Sequence, residues 1–351
     1  MISSSLRHPL SQLTFVVGAL ALSAYSGGKT SVVERIVKKP QVLDADLLTS
    51  MPSDLFVFEK AIVWHSAIPD DDTHLVNRQT GDEVCVLKVQ GEGPYEVATP
   101  DLQKSGNDSL VVYDLNSPRA LHFSVSACLS GDTLPAEVTR QPEDLRGLTC
   151  LPIDAKHTLY ATPAHSHPFL LVRGEERTPF GTFPLKLEEE ITNGGDVFQG
   201  TISYNPNNRK LVYSNAQMAY MALYDWNGRH FHLAKEMRLA EVDYEITNRE
   251  LHLDKVKQKA PTALTITKDY IVCISRDKES ADKKIDAANY RGRRQNFART
   301  PQQLFVYNLD MELQKIINLQ IPVFRIASDA TSNTVYLIGV NPDFCLLSCN
   351  I

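Results

Sequence analysis

The sequence predicts an all-β chain, a six-bladed β-propeller of four-stranded antiparallel blades, on three observations. The first is a recurring hairpin. Val112-Tyr113-Asp114-Leu115-Asn116, Leu223-Tyr224-Asp225-Trp226-Asn227 and Val306-Tyr307-Asn308-Leu309-Asp310 each join an apolar strand end to an Asp/Asn turn, as a tight antiparallel connection requires. The second is pattern: from about residue 31 onward, short β-rich runs alternate with Gly/Pro/Asn/Asp turns and helical periodicity is nearly absent. The third is spacing. Hairpins near 75–87, 111–124, 169–185, 222–235, 304–319 and 344–351 divide the chain into units of about 50 residues, right for a four-stranded blade with its loops.

In chain order, residues 1–24 read as a signal peptide and 25–351 as the single propeller domain. Arg7 and His8 precede an apolar run from Leu13 to Ala24, an h-region length and shorter than the ~20 residues that span a bilayer. Leu22-Ser23-Ala24 followed by Ser26-Gly27-Gly28-Lys29 resembles a bacterial lipoprotein cleavage box with its polar tether. The acylated position holds Tyr25 instead of Cys, so either the anchor residue has been replaced or a plain secretory peptide is cut after Ser23 or Ala24. Export to the periplasm or the outer-membrane surface is expected on both readings. Membrane attachment is expected only through a lipid anchor, if a Cys replaces Tyr25.

The β-branched run 31–37 is expected to supply the outer strand of the last blade. The chain stops at 344–351 with no room for a fourth strand, and a ring does not tolerate an open edge. Blade three begins with Leu151 to Ile153, an Asp154-Ala155-Lys156 turn and Thr158 to Ala161. Blade four reads as strands 200–204, 210–214, 220–226 and 230–235, with Asn205-Pro206-Asn207-Asn208 and Asn227-Gly228 as turns. Residues 234–257 are expected to form a short helix or an irregular loop. Blade six starts with Phe324 to Ala327, an Asp329-Ala330-Thr331 turn and Thr334 to Gly339. The register of blade two stays open, and with it a count of five or seven blades.

The exported start, the six hairpins, the Gly91-Glu92-Gly93-Pro94-Tyr95-Glu96-Val97 joint and the ending Val335 to Phe344 resemble the TolB-like six-bladed propeller lipoproteins of Bacteroidetes. In related propellers a Gly-x-Gly-Pro-x-Glu-aliphatic joint links an outer strand to the next blade. The resemblance implies a fold and a compartment, and carries over no functional residues.

Composition narrows the partners. The 351 residues carry a formal net charge of −6, so no basic footprint points to nucleic acid. The apolar fraction of 43% supports a real core. Six cysteines lie at 85, 128, 150, 273, 345 and 349 without a Cys-x-x-Cys pair, and read as core thiols, with long-range disulfides open in an exported chain. Cys345 and Cys349 sit roughly 13 Å apart along a strand, too far to bridge each other.

Loops joining strands two and three, and those joining strand four to the next blade, emerge on one face of a propeller. The compositionally odd segments fall there. They are Ser66 to Asp72 with Asp70, Asp71 and Asp72, Thr162 to Pro168 with His165 and His167, and Arg276 to Pro301 with Tyr290, Arg291, Arg293, Arg294 and Phe297. The late arginines suit a carboxylate, sulfate or phosphate. His165-x-His167 is half of a metal site at most, Asp70–Asp72 lacks calcium-loop spacing, and His230-Phe231-His232 lies in a fourth strand. No nucleophile elbow, zinc-protease helix or phosphate loop is present, and no cofactor is expected. These residues predict a monomeric, non-enzymatic binding or scaffold module for a glycan, peptide or protein. The alternative is a metal-assisted hydrolase or lactonase, which needs carboxylates and an Asn converging from several first strands. The first-strand residues Leu151, Thr201, Ser203, Thr265 and Thr267, with Thr149 just before them, offer no such set.

Overall fold

Alternating apolar and polar residues between Asx turns build six sheets in a ring. The computed structural model describes residues 33–49, 51–68, 72–162, 166–185, 187, 191–254, 259–277 and 300–351. Two short strands come first, β1 (Glu34–Val37) and β2 (Gln41–Asp44). Blade one follows as β3 (Met51–Val57), β4 (Ala61–Ile68), β5 (Asp72–Asn77) and β6 (Glu83–Lys88). Blade two is β7 (Pro100–Ser105), β8 (Ser109–Asp114), β9 (Arg119–Ser124) and β10 (Glu137–Arg140). Blade three is β11 (Cys150–Pro152), β12 (Thr158–Ala161), β13 (Phe169–Arg173) and β14 (Glu176–Phe180).

Blade four is β15 (Thr201–Asn205), β16 (Lys210–Asn215), β17 (Tyr220–Trp226) and β18 (Phe231–Arg238), close to the strands read from the sequence. A separate hairpin, β19 (Tyr244–Thr247) and β20 (Glu250–Leu253), precedes blade five. That blade is β21 (Ala263–Ile266), β22 (Tyr270–Ser275), β23 (Gln303–Asn308) and β24 (Leu313–Asn318). Blade six is β25 (Val323–Ser328), β26 (Thr334–Val340) and β27 (Phe344–Asn350), completed by β2.

Closure uses both chain ends, but not through the residues expected. Gln41 pairs with Ser348 and Val42 with Leu347, antiparallel, so β2 and not 31–37 is the outer strand of the last blade. The reason is reach: β2 is the strand that directly precedes β3 in the chain, and Leu47 N–H donates to the Phe344 carbonyl on the way. The β-branched run goes elsewhere. Glu34–Val37 adds to blade five as a fifth, parallel strand beside β24, where Ile36 packs on the core between blades five and six.

The register of blade two is settled, and one further reading is corrected. The 111–124 hairpin joins the second and third strands of blade two, whereas those at 75–87, 169–185, 222–235 and 304–319 join strands three and four, and 344–351 is the single strand β27. Of the stretch 234–257, the described residues, to Asp254, continue β18 and then form the β19–β20 hairpin. Its turn residues Asn248 and Arg249 both have positive φ, 55° and 65°, the backbone of a type I′ turn. Leu251 buries there among the aromatic residues of blades three and four.

Six apolar clusters, one per joint between neighbouring blades, make the core. All six cysteines are buried free thiols within it. The Gly91–Val97 joint needs its glycines: Gly91 has φ 154°, and a Cβ there would lie 2.0 Å from the Glu96 carboxylate. That carboxylate accepts the Gly93 N–H at 2.7 Å and holds the turn. Asx turns connect first and second strands: Asp154 Oδ1 accepts the Lys156 N–H at 2.8 Å, and Asp329 Oδ1 accepts the Thr331 N–H at 3.0 Å.

Candidate functional site: the central channel and its mouth

First strands β3, β7, β11, β15, β21 and β25 pack round the axis. Their C-terminal halves enclose a cavity of about 380 Å³, a volume typical of small-ligand sites. Gly106, Asp154, Ala155, Pro206 and Ala330, all at or beside first-to-second-strand turns, stand at its rim, so the cavity opens on the face that carries those turns. Leu55, Phe56, Ile202 and Ile326 give it apolar walls, and Gln103, Lys104, Ser203 and Thr265 add polar groups. Leu151, Ser203 and Thr265 are the first-strand positions singled out in the sequence. Thr265 and Ser328 hydroxyls bond to each other at 2.8 Å, and Ser328 also donates to the Ile266 carbonyl.

Below the cavity the channel is charged. Asp54 on β3, Asp101 on β7 and Arg325 on β25 each precede the cavity-lining part of their strand. Burial raises the Asp54 carboxyl against the lowering influence of Ser53, His65 and Arg325. Burial, with the Asp54 charge adding, pushes Asp101 to about 7, so this pair carries a proton near neutrality. Arg325 is anchored by donating to the Ser53 carbonyl. Lys104 donates to the Val57 carbonyl at 2.5 Å and lies 5.0 Å from the Phe58 ring centre, while burial lowers its pKa. Burial and the Asp154 charge push the Tyr204 phenol at the cavity wall to about 12.

Asp54 and Asp101 went unnoticed in the sequence. Pro52-Ser53-Asp54 and Pro100-Asp101 break the alternation of their strands, and the open register of blade two hid the second. The only signal was a carboxylate within two residues of a proline in the first half of each strand. Among the described residues, no group of three or more His, Cys, Asp or Glu converges as metal ligands.

Of the rim residues read from the sequence, two can be placed. Asp72 opens β5 opposite Ser66 and Lys88. His167 Nδ1 lies 3.0 Å from the Ser166 hydroxyl, and its carbonyl accepts from Thr162. Topology puts both on the face opposite the cavity mouth, on blades one and three, without a hydrogen bond or ion pair joining them. Asp70, Asp71, His165, Tyr290, Arg291, Arg293, Arg294 and Phe297 lie outside the described residues. In the His230–His232 run Phe231 is buried and both histidines are exposed.

Among solved structures the chain is similar to a member of the DUF4221 family from Bacteroides vulgatus. Identity is 12%, over 90% of this chain and 96% of that one, with a TM-score of 0.58. It is also similar to regucalcin, a calcium-binding protein from Agrobacterium tumefaciens, at 9% identity over 90% and 95% of the two chains and a TM-score of 0.50. No protein-family model matches the sequence, and no curated protein matches it. At these identities the likeness is one of fold: a six-bladed propeller.

Proposed function

We propose that this propeller is an exported, non-enzymatic binding module of the cell envelope, which takes a small ligand or the tip of a glycan or peptide into its channel. The observation that carries the reading is the cavity of about 380 Å³ walled by all six first strands, apolar with a few fixed hydrogen-bonding groups. The resemblance to TolB-like lipoproteins and the leader at 1–24 support the compartment. The opposite rim, with Arg291, Arg293 and Arg294, is then an outer docking surface for an anionic group on the partner. The test is a glycan and peptide array with native mass spectrometry, comparing wild type with the channel-filling variant Ser203→Trp and with Arg291→Ala/Arg293→Ala/Arg294→Ala. Channel binding predicts loss of the ligand in Ser203→Trp; unchanged binding there would overturn the reading.

A second reading is kept for one observation: Asp54 and Asp101 put two interacting carboxylates on adjacent first strands. A metal-assisted hydrolase needs further ligands beside them, and the likeness to a calcium-binding propeller makes the measurement worth making. A stoichiometric divalent ion in purified protein, lost in Asp54→Asn/Asp101→Asn, would establish that reading in place of the first.

A further inference from the structure

Beside the channel mouth, on the same face, a second cavity of about 520 Å³ opens between blades three and four. The Asp154-Ala155 turn separates the two and lines both. The second cavity is cationic: Lys156 from the turn of blade three, Arg173 from the end of β13 and Arg229 from the β17–β18 turn surround it, in a chain whose net charge is −6. Lys156 and Arg229 make no side-chain hydrogen bond or ion pair among the described residues. Arg173 has only the exposed Glu176, at 4.0 Å.

The one carboxylate lining this cavity is already engaged. Asp154 accepts the N–H groups of Lys156 at 2.8 Å and His157 at 3.0 Å, and its two oxygens lie 2.9 and 3.0 Å from His157 Nδ1. Partial burial opposes its ionisation, but the Lys156 N–H and the His157 ring outweigh that and hold the carboxyl below its ordinary value. Asp154 therefore fixes the His157 ring instead of neutralising the arginines. Trp226 locks the ring from behind, edge-on at 5.0 Å. The floor at Gly228 is open, with nothing within 4 Å of where a Cβ would stand.

We propose that this cleft is an anion-binding site for a tetrahedral oxyanion, a phosphate or sulfate group, held by Lys156, Arg173 and Arg229 against the oriented His157 imidazole. Guanidinium and ammonium groups with no carboxylate closer than the Glu176 contact at 4.0 Å suit such an ion, and the Asp154-Ala155 turn separates the site from the channel. The group has two sources, a free ion or an ester on a sugar.

Isothermal titration calorimetry on the full chain, with sodium chloride as the ionic-strength control, decides between them. Sodium phosphate and sodium sulfate should bind saturably, and Lys156→Ala/Arg229→Ala should weaken both at least about tenfold. Both residues are exposed, so the fold is expected to survive; Arg229→Glu should abolish binding. Ser203→Trp should leave anion binding unchanged, which separates a failure here from a failure at the channel. A sulfated disaccharide or sugar phosphate that binds at least tenfold more tightly than the free ion identifies the ester; equal affinity identifies the free ion. Phosphate and sulfate binding no better than chloride, or binding equally to wild type and the double variant, would overturn the proposal.

Discussion

Two joints of the ring are built on one backbone plan and held by different chemistry. At the joint of blades six and one, Arg78 follows β5 and donates its N–H to the Lys60 carbonyl. At the joint of blades three and four, Trp226 ends β17 and donates its N–H to the Arg209 carbonyl in the same way. Each side chain meets the Asx turn of the preceding blade. Arg78 pairs with Asp329 at 2.5 Å and donates from Nε to the Tyr336 hydroxyl at 2.8 Å. Trp226 instead packs on His157, which has taken the turn aspartate for itself, within an aromatic cluster of Phe169, Phe180, Tyr204, Tyr224 and Phe231. The difference teaches where cations are left over. Where the two ends of the chain meet, an arginine is committed to the joint. Where the chain runs on continuously, apolar burial holds the joint and Arg229 and Lys156 are left at the surface.

The largest expected effect tests closure itself. A chain beginning at residue 47 lacks both N-terminal strands and leaves the β27 edge unpaired, and should aggregate or melt more than about 10 °C lower. A chain beginning at residue 39 loses only β1 and should drop by a few degrees, monomeric by size exclusion. Equal stability of the two truncations would break the assignment of β2 as the closing strand.

The joints themselves come next. Trp226→Ala should cost about 3–5 kcal/mol with little dependence on salt or pH, since what is lost is buried aromatic volume. Arg78→Ala should cost about 2 kcal/mol and behave differently in acid. Burial works against the Asp329 charge, but the Thr331 N–H and the Arg78 guanidinium overcome it and hold the carboxyl at about 2. A depressed folded pKa contributes stability above the ordinary value of 3.8 and loses it as pH falls towards about 2. Urea melts across that window should show a shallower acid loss in Arg78→Ala and an unchanged one in Trp226→Ala; identical profiles would remove the distinction.

The smallest effect comes from a residue at neither joint's clasp. Asp101 is raised to about 7, so it contributes stability below its ordinary value of 3.8 and loses it as pH rises through about 7. Asp101→Asn should flatten that decline and melt a few degrees above wild type in mild alkali. A decline between 3.8 and about 7 as steep in Asp101→Asn as in wild type would mean that Asp101 is ionised in the channel throughout that window.

The fold was legible because its signals are local. Asn227-Gly228, Asp154-Ala155-Lys156 and Asp329-Ala330-Thr331 state their turns in a few residues, and strand alternation did the rest in blade four. Closure was half legible: an open last blade demanded an N-terminal strand, but β-propensity chose 31–37 where chain reach selects 41–44. The site was scarcely legible. Sequence reading favoured long, odd loops such as 276–301, whereas the described cavities are made by short turns that look purely structural. That Asp329 takes Arg78 depends on a residue brought from another blade, which no local pattern carries, whereas Asp154 takes His157 within its own turn.

The closing strand has a consequence for how the molecule is made. On a ribosome β2 emerges before blades one to five and its partner β27 after them, so Gln41–Asp44 waits unpaired while all five are made. Its brevity and its two polar ends, Gln41 and Asp44, make it a poor template for a neighbouring nascent chain. A strand chosen for strength would close the ring more tightly and would be exposed to wrong partners for longer than it takes to find the right one.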